Sequence, residues 1–235
     1  MQQFLEEIEN IFLKNKIVLS QKQKEDFYNY YCLLIEWNNK FNLTAITEQK
    51  DVIYKHFLDS VSSANLIKEN SYVLDIGAGA GFPSLPLKIL RPDLKIVMLD
   101  SVNKKVLFLQ EVVKNLKLNN VFAVHARAED LAQKKEYRES FDYVVSRAVS
   151  RLNTLAEYSL PFLKQNGKLI AYKSVDTEIE IEESKNAFNI LGGKVDKIED
   201  VSYEKNDRKL IVILKTFKTP NKYPRSGNKP RLQPL

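Results

Sequence analysis

YVLDIGAGAGFP, residues 72–83, is the stretch whose reading decides the fold. A short apolar run ends at Asp75-Ile76, glycines stand at 77, 79 and 81, and Phe82-Pro83 leads into the apolar SLPLKIL. A run of that length bounded by glycine reads as a buried strand and the segment after it as a helix, so the glycines occupy a strand-to-helix turn. Outward from that turn the pattern recurs. Further strands are expected at KIVMLD (95–100), NVFAVH (120–125), FDYVVS (141–146), GKLIAYK (167–173), KVDKIEDVSYE (194–204, after Gly192-Gly193) and RKLIVILK (208–215). Helices are expected between them at 84–90, 103–116, 127–132, 151–163 and 176–191. The alternation predicts an α/β fold with a Rossmann-like, seven-stranded, mostly parallel sheet and helices on both faces. Only the last two strands, joined without a helix, should form an antiparallel pair.

Residues 1–65 carry helical spacing of apolar side chains (Phe4, Ile8, Ile11, Phe12, then Phe27, Tyr30, Tyr31, Leu34, Trp37), with Ser20 as the expected N-cap of a second helix. They form an N-terminal helical extension to a core at 66–217. Trp37 and Phe41 are expected to be core aromatics. The final segment, 218–235, has four prolines and a glycine, and is expected to be neither helix nor inner strand. Eight of the 36 basic residues follow Asp207 with no acid among them, leaving 28 basic against 30 acidic side chains before that point; the net charge of +6 therefore belongs to the C-terminus. A cationic segment of this kind suits phosphate backbones, although such runs are commonly just solvated. No apolar run approaches the ~18–20 residues of a membrane span. Cys32 is the sole cysteine, which excludes an internal disulfide and fits a reducing, cytoplasmic setting. No metal site and a monomer are expected.

The glycine turn separates two cofactor readings. The dinucleotide fingerprint is G-x-G-x-x-G, whereas here the third glycine falls one residue early. Asp75, two positions before Gly77, resembles the acid of adenosylmethionine motifs, where a carboxylate suits a sulfonium and an amino-acid group. The second strand ends at Asp100, a carboxylate placed to accept both ribose hydroxyls, which by itself fits either cofactor. After the third strand, Ala128 and Glu129 stand where they can flank an adenine and its exocyclic amine. Arg147 ends the fourth strand, at the place of a substrate or of the cofactor carboxylate. Ligands of open α/β sheets bind beyond the carboxyl ends of the strands, so all these residues point at one crevice.

DIGAGAGFPSLPLKI, LDSVNKKVLFL, HARAED, VSRAV, the terminal YPRSGNKPRLQPL, WNNKFNLTAIT and HFLDS together resemble the ribosomal RNA small-subunit methyltransferase G family over residues 30 to 235. Ser84 stands where many relatives have glycine. The resemblance implies a class I methyltransferase that uses S-adenosylmethionine to methylate N7 of one guanine in the decoding-region loop of 16S ribosomal RNA, with that RNA or the small ribosomal subunit as its partner. It implies cofactor contacts from Gly77, Phe82, Ala128, Glu129 and Arg147, with Asp100 at the ribose; Asp75, Gly79 and Gly81 complete the motif.

Guanine N7 has a lone pair and no proton, so no catalytic base is expected, and His56 and His125 are read as structural. Arg147, Lys173, Tyr223 and Arg225 are the candidates for RNA contact, Tyr223 by stacking on a base. Two alternatives stay open at this point: a methyltransferase for another RNA, and a non-catalytic RNA-binding protein with a vestigial pocket.

Overall fold

The computed structural model describes residues 1–174, 177–201 and 207–235. Its centre is a seven-stranded sheet: β1 (Tyr72–Ile76), β2 (Lys95–Asp100), β3 (Val121–His125), β4 (Phe141–Arg147), β5 (Leu163–Lys173), β6 (Gly193–Asp200) and β7 (Lys209–Lys215), in the order β3-β2-β1-β4-β5-β7-β6. The first five run parallel to one another. β7 inserts between β5 and β6 and runs antiparallel to both. The expected hairpin therefore exists, with its second strand inside.

The period of two along each strand divides the core. Val73, Ile96, Met98, Ile170 and Tyr172 pack on one face, and Leu74, Val97, Leu99, Leu169 and Ala171 on the other. Strands covered on both faces carry apolar side chains at both alternations, which is why they read as unbroken runs. The first face is covered by α1 (Gln2–Lys14), α2 (Gln21–Phe41), α3 (Gln49–Val52), a π-helical stretch Ile53–Leu58, α4 (Asp59–Val61), α5 (Ser84–Leu90) and α6 (Asn103–Asn115). The second is covered by α7 (Ala128–Leu131), α8 (Leu152–Ser159), α9 (Thr177–Glu183), α10 (Lys185–Leu191) and the C-terminal segment.

The N-terminal helices share their core with the sheet: Phe4, Phe12, Phe27 and Tyr30 lie in one cluster with Val73, Phe82 and Leu85. Ser20 caps α2 in a capping box, its Oγ accepting from Gln23 N at 3.2 Å while Gln23 Oε1 accepts from Ser20 N at 2.8 Å. Trp37 is half-buried against Phe41 and Phe108.

Three expectations change. The helix expected over 176–191 is two, α9 and α10, interrupted at Ser184, with Asp176 outside the described residues. β6 ends at Asp200, and Ser202–Glu204 of the expected strand also lie outside them. The C-terminal segment does contain a helix, one turn long (α11, Lys229–Leu232), with Pro230 in its first turn. Proline is tolerated there because first-turn N–H groups have no intrahelical partner.

Candidate active site

At the end of β1 the chain turns under the end of β2, with Gly77 N and Ala78 N both donating to Leu99 O at 2.8 and 3.0 Å. Gly77 takes φ +71°, and a Cβ there would lie 2.5 Å from Val149 Cγ2, so glycine lets the loop after β4 close over the turn. Asp100 holds the same turn from β2. Its Oδ2 accepts from Gly79 N and its Oδ1 from Val102 N, each at 2.9 Å. Each carboxylate oxygen keeps a further lone-pair site. A cleft of about 480 Å³ opens here, lined by Gly77, Asp100, Ala128 and Glu129, by Ala148-Val149-Ser150 after β4, and by Thr154 and Tyr158 of α8. That size falls within the ~300–1,000 Å³ of small-molecule sites.

Four of the residues expected at the cofactor thus line the cleft: Gly77, Asp100, Ala128 and Glu129. Gly79 acts through its N–H on Asp100. Gly81 sits on α2, whose Tyr30 hydroxyl donates to Ala80 O; a Cβ at Gly81, where φ is +97°, would come 2.7 Å from that hydroxyl. Asp75 is placed otherwise than the motif suggested. It is fully buried beneath the turn, its Oδ2 accepting from Ser84 N at 3.3 Å and its Oδ1 without a partner. Burial pushes its carboxyl up to about 7. Asp75 supports the turn and does not line the cleft.

Arg147 faces the other way. A second cavity of about 380 Å³ lies between the end of β4 and the Ile53–Leu58 stretch, lined by Lys55, His56, Asp59, Arg147, Tyr172, Lys173 and Arg208. Arg147 Nη1 donates to Asp59 Oδ2 at 2.7 Å and to Lys55 O at 2.9 Å, and its guanidinium carbon stands 5.0 Å from the centre of the Phe82 ring. Phe82 is buried, stacked on His56 with ring centres 4.3 Å apart. Asp59 is 1% exposed and faces a second guanidinium, with Arg208 Nε 3.3 Å from Oδ1. Tyr172 closes the floor, its hydroxyl 2.6 Å from both Ser60 O and Ser63 Oγ, and burial holds its phenol well above the usual range. The two cavities meet at Ala148, which lines both.

Burial and the adjacent Arg147 guanidinium disfavour a charged His56. Arg147 Nη2 lies 3.0 Å from its Nδ1 and Lys55 O 3.2 Å from the same nitrogen; arginine only donates and makes the shorter contact, which assigns Nδ1 as the acceptor. Its Nε2–H then points at Thr44 Oγ1, 2.9 Å away. Burial and the neighbouring Arg147 push its pKa down to about 3. His56 and Asp75 consequently act on stability in opposite directions. The depressed His56 contributes stability present above pH ~6.5 and lost as pH falls towards 3; the raised Asp75 contributes stability present below pH ~4 and lost as pH rises through 7. Between pH 4 and 6.5 the two slopes, each about 1.4 kcal/mol per pH unit, cancel. Urea midpoints should show it: relative to the wild-type chain, His56→Gln loses stability as pH rises across that window, and Asp75→Asn gains it. Parallel profiles for all three proteins would refute the assignment.

The RNA candidates divide. Lys173 borders the second cavity but is held by Ser150 O at 2.8 Å and Glu180 Oε2 at 2.7 Å. Tyr223 is buried among the second-face core residues. Arg225 pairs through Nε and Nη2 with the fully buried Glu157, at 2.7 Å for Nη2 to Oε2. In this conformation Tyr223 packs in the core and Arg225 is engaged by Glu157, and both anchor the C-terminal segment. Sequence reading missed Tyr30, Asp59, Tyr172 and Glu157. Asp59 falls within HFLDS, but an acid within an apolar helix is the only sign of an Asp59 or a Glu157, and it names no partner.

The sheet order, the glycine turn after β1 and carboxylates at the end of β2 and after β3 define a Rossmann-like methyltransferase fold of class I. A SAM-dependent methyltransferase from Aquifex aeolicus superposes with a TM-score of 0.54 at 18% identity, covering 71% of this chain and 93% of that one. TYW2 from M. jannaschii in complex with AdoMet does so with 0.54 at 21%, covering 72% and 77%. These likenesses show the fold. The family model for rRNA small subunit methyltransferase G matches residues 23–211. The ribosomal RNA small subunit methyltransferase G of Lachnoclostridium phytofermentans is 50% identical over 221 residues, 92% of this chain and 91% of its own, and that of Streptococcus pneumoniae 45% over 232 residues, 96% and 97%. The chain belongs to the ribosomal RNA small subunit methyltransferase G family.

Proposed function

We propose that the chain transfers a methyl group from S-adenosylmethionine to N7 of a single guanine in the decoding-region loop of 16S ribosomal RNA, as a monomer in the cytoplasm and without a metal. The observation that carries this reading is the abutment of two cavities at Ala148. One has the size and carboxylates of a nucleoside cofactor site. The other is lined by charged and aromatic side chains, with Lys55, Arg147, Lys173 and Arg208 paired to Asp51, Asp59, Glu180 and Asp59 beside Tyr172, and such a polar pocket suits the base of a nucleotide.

Bound, adenosylmethionine supplies an electrophilic methyl on a sulfonium. The residues of the cleft fit it: Asp100 would take the ribose hydroxyls on its remaining lone pairs, and Glu129 and the backbone at Ala128 would hold the adenine edge. Guanine N7 carries a lone pair and no proton, so accepting that methyl would require no general base from this chain. Consistent with that, the one histidine at the site has both ring nitrogens engaged and stays neutral. What the protein contributes is alignment, holding reacting atoms about 3–3.5 Å apart in line. The hydrogen-bonded Arg147–Asp59–His56 group is the wall against which the base is set. The flipped or already unstacked guanine enters from a folded RNA loop.

Among the described residues, no helix is long and apolar enough to cross a membrane. The test is labelled methyl transfer to small ribosomal subunits from a strain lacking the enzyme, followed by mapping of the modified nucleotide. Label on one guanine N7 is the expected result. Tight cofactor binding with no label would move the acceptor to another RNA or leave an RNA-binding protein with an idle pocket.

A further inference from the structure

The adenosylmethionine cleft has a wall that the nucleotide-binding pattern does not account for. Asn228 and Arg231, more than 100 residues beyond the β3 turn in the chain, line it together with Arg127, Ala128 and Glu129. Arg127 Nη1 reaches Asn228 Oδ1 at 3.4 Å, and Arg231 and Arg127 both act electrostatically on Tyr158 of the same cleft.

Three attachments hold the segment there. Glu157 is 0% exposed, and its carboxylate takes the backbone N–H of Arg225 at 2.8 Å as well as the guanidinium. Arg225 Nη2 also donates to Gln233 O at 2.8 Å, closing the chain around α11 (Lys229–Leu232). Thr154 Oγ1 donates to Pro230 O at 3.1 Å, between the two lining residues. Further back, Arg138 donates to Thr219 O and Tyr223 O at 3.0 and 2.9 Å. A segment that served only as a flexible cationic arm has no need of a buried ion pair, whose rupture leaves an uncompensated charge in the interior.

We infer that the C-terminal segment forms part of the cofactor site: Asn228 and Arg231 grip the adenosine end of adenosylmethionine, and Glu157 positions them through Arg225. A guanidinium plane suits the face of a purine, and a carboxamide suits its polar edge. The assignment rests on the cofactor reading given above. It implies that the cationic terminus acts first on the cofactor.

Isothermal titration with S-adenosylhomocysteine and with 5′-methylthioadenosine, which lacks the amino-acid group, tests it on the full-length chain. N228A/R231A should weaken both ligands by the same factor, about tenfold. E157Q should weaken both about threefold in the otherwise wild-type chain and add nothing in the N228A/R231A background; a merely structural role for Glu157 would lower affinity in either background. Unchanged affinity for both ligands in a folded N228A/R231A protein overturns the inference, and so does a loss confined to RNA binding. Weakening of S-adenosylhomocysteine alone would overturn the adenosine assignment. If the wild-type chain binds neither ligand, the cofactor reading itself has failed.

Discussion

Asp100→Ala is expected to abolish S-adenosylhomocysteine binding in calorimetry, weakening it at least a hundredfold, while Asp75→Asn leaves it within about threefold of the wild-type chain. The two carboxylates read alike in the sequence, each at or near the end of a strand and each matching a cofactor motif. Their surroundings separate them. Asp100 lines the cleft and holds the N–H groups of Gly79 and Val102, so its removal loosens the glycine turn and deletes the acceptor for the ribose hydroxyls. Hydrogen bonds to a charged group contribute about 1.5–3 kcal/mol each, and two of them correspond to a hundredfold or more in affinity. Asp75 lies beneath the turn, out of the cleft, with Ser84 N as its donor and a carboxyl that titrates near neutrality. Its neutral isostere keeps the acceptor oxygen. Equal losses for the two variants would show that the acid before the first glycine touches the cofactor after all.

How far the sequence could be read depended on the distance over which each interaction acts. The strand-turn-helix at residues 72–90, the sheet class and the Ser20 cap are set by neighbours within a few residues, through apolar period, glycine and capping side chains, and these were legible. The insertion of β7 between β5 and β6 was not, because an antiparallel hairpin pairs correctly on either edge and only the packed sheet selects one. Arg147 illustrates the same limit at the site. Its position at the end of β4 placed it near the crevice, but the direction of its side chain is decided by Asp59, 88 residues earlier in the chain, on a helix whose pattern announces only an apolar face. The C-terminal charge is a third case. Eight basic residues after Asp207 were visible as a cluster, yet the cluster does not act as one. Lys215 is buried on Leu160 O and Thr219 Oγ1, with burial lowering its pKa to about 8, Arg225 is paired to Glu157, and Arg208 faces Asp59. Composition counts charges; burial decides which of them reach a phosphate.

Arg147→Ala should cost about 3–5 kcal/mol of unfolding free energy, because it leaves Asp59 buried with one of its two guanidinium partners gone. Arg208, at 3.3 Å from the other oxygen, sets the loss toward the lower end of that range. Methyl transfer should fall a thousandfold or more, since the same substitution removes the donor that fixes His56 and the cation stacked over Phe82. Affinity for S-adenosylhomocysteine should stay within about threefold, since Arg147 lines the second cavity and not the cofactor cleft. The two effects separate in the double variant. Asp59→Asn in the Arg147→Ala background replaces the buried charge by a neutral amide and should recover more than half of the lost stability, read as the urea midpoint, without restoring transfer. Arg147→Lys should recover stability in part and transfer little, because one ammonium cannot reach Asp59, Lys55 O and His56 Nδ1 in the fork geometry that a guanidinium provides. A hundredfold loss of S-adenosylhomocysteine affinity in Arg147→Ala would return this residue to the cofactor, where its place in the motif first put it; recovery of transfer along with stability in the double variant would reduce the Arg147–Asp59 pair to a structural brace.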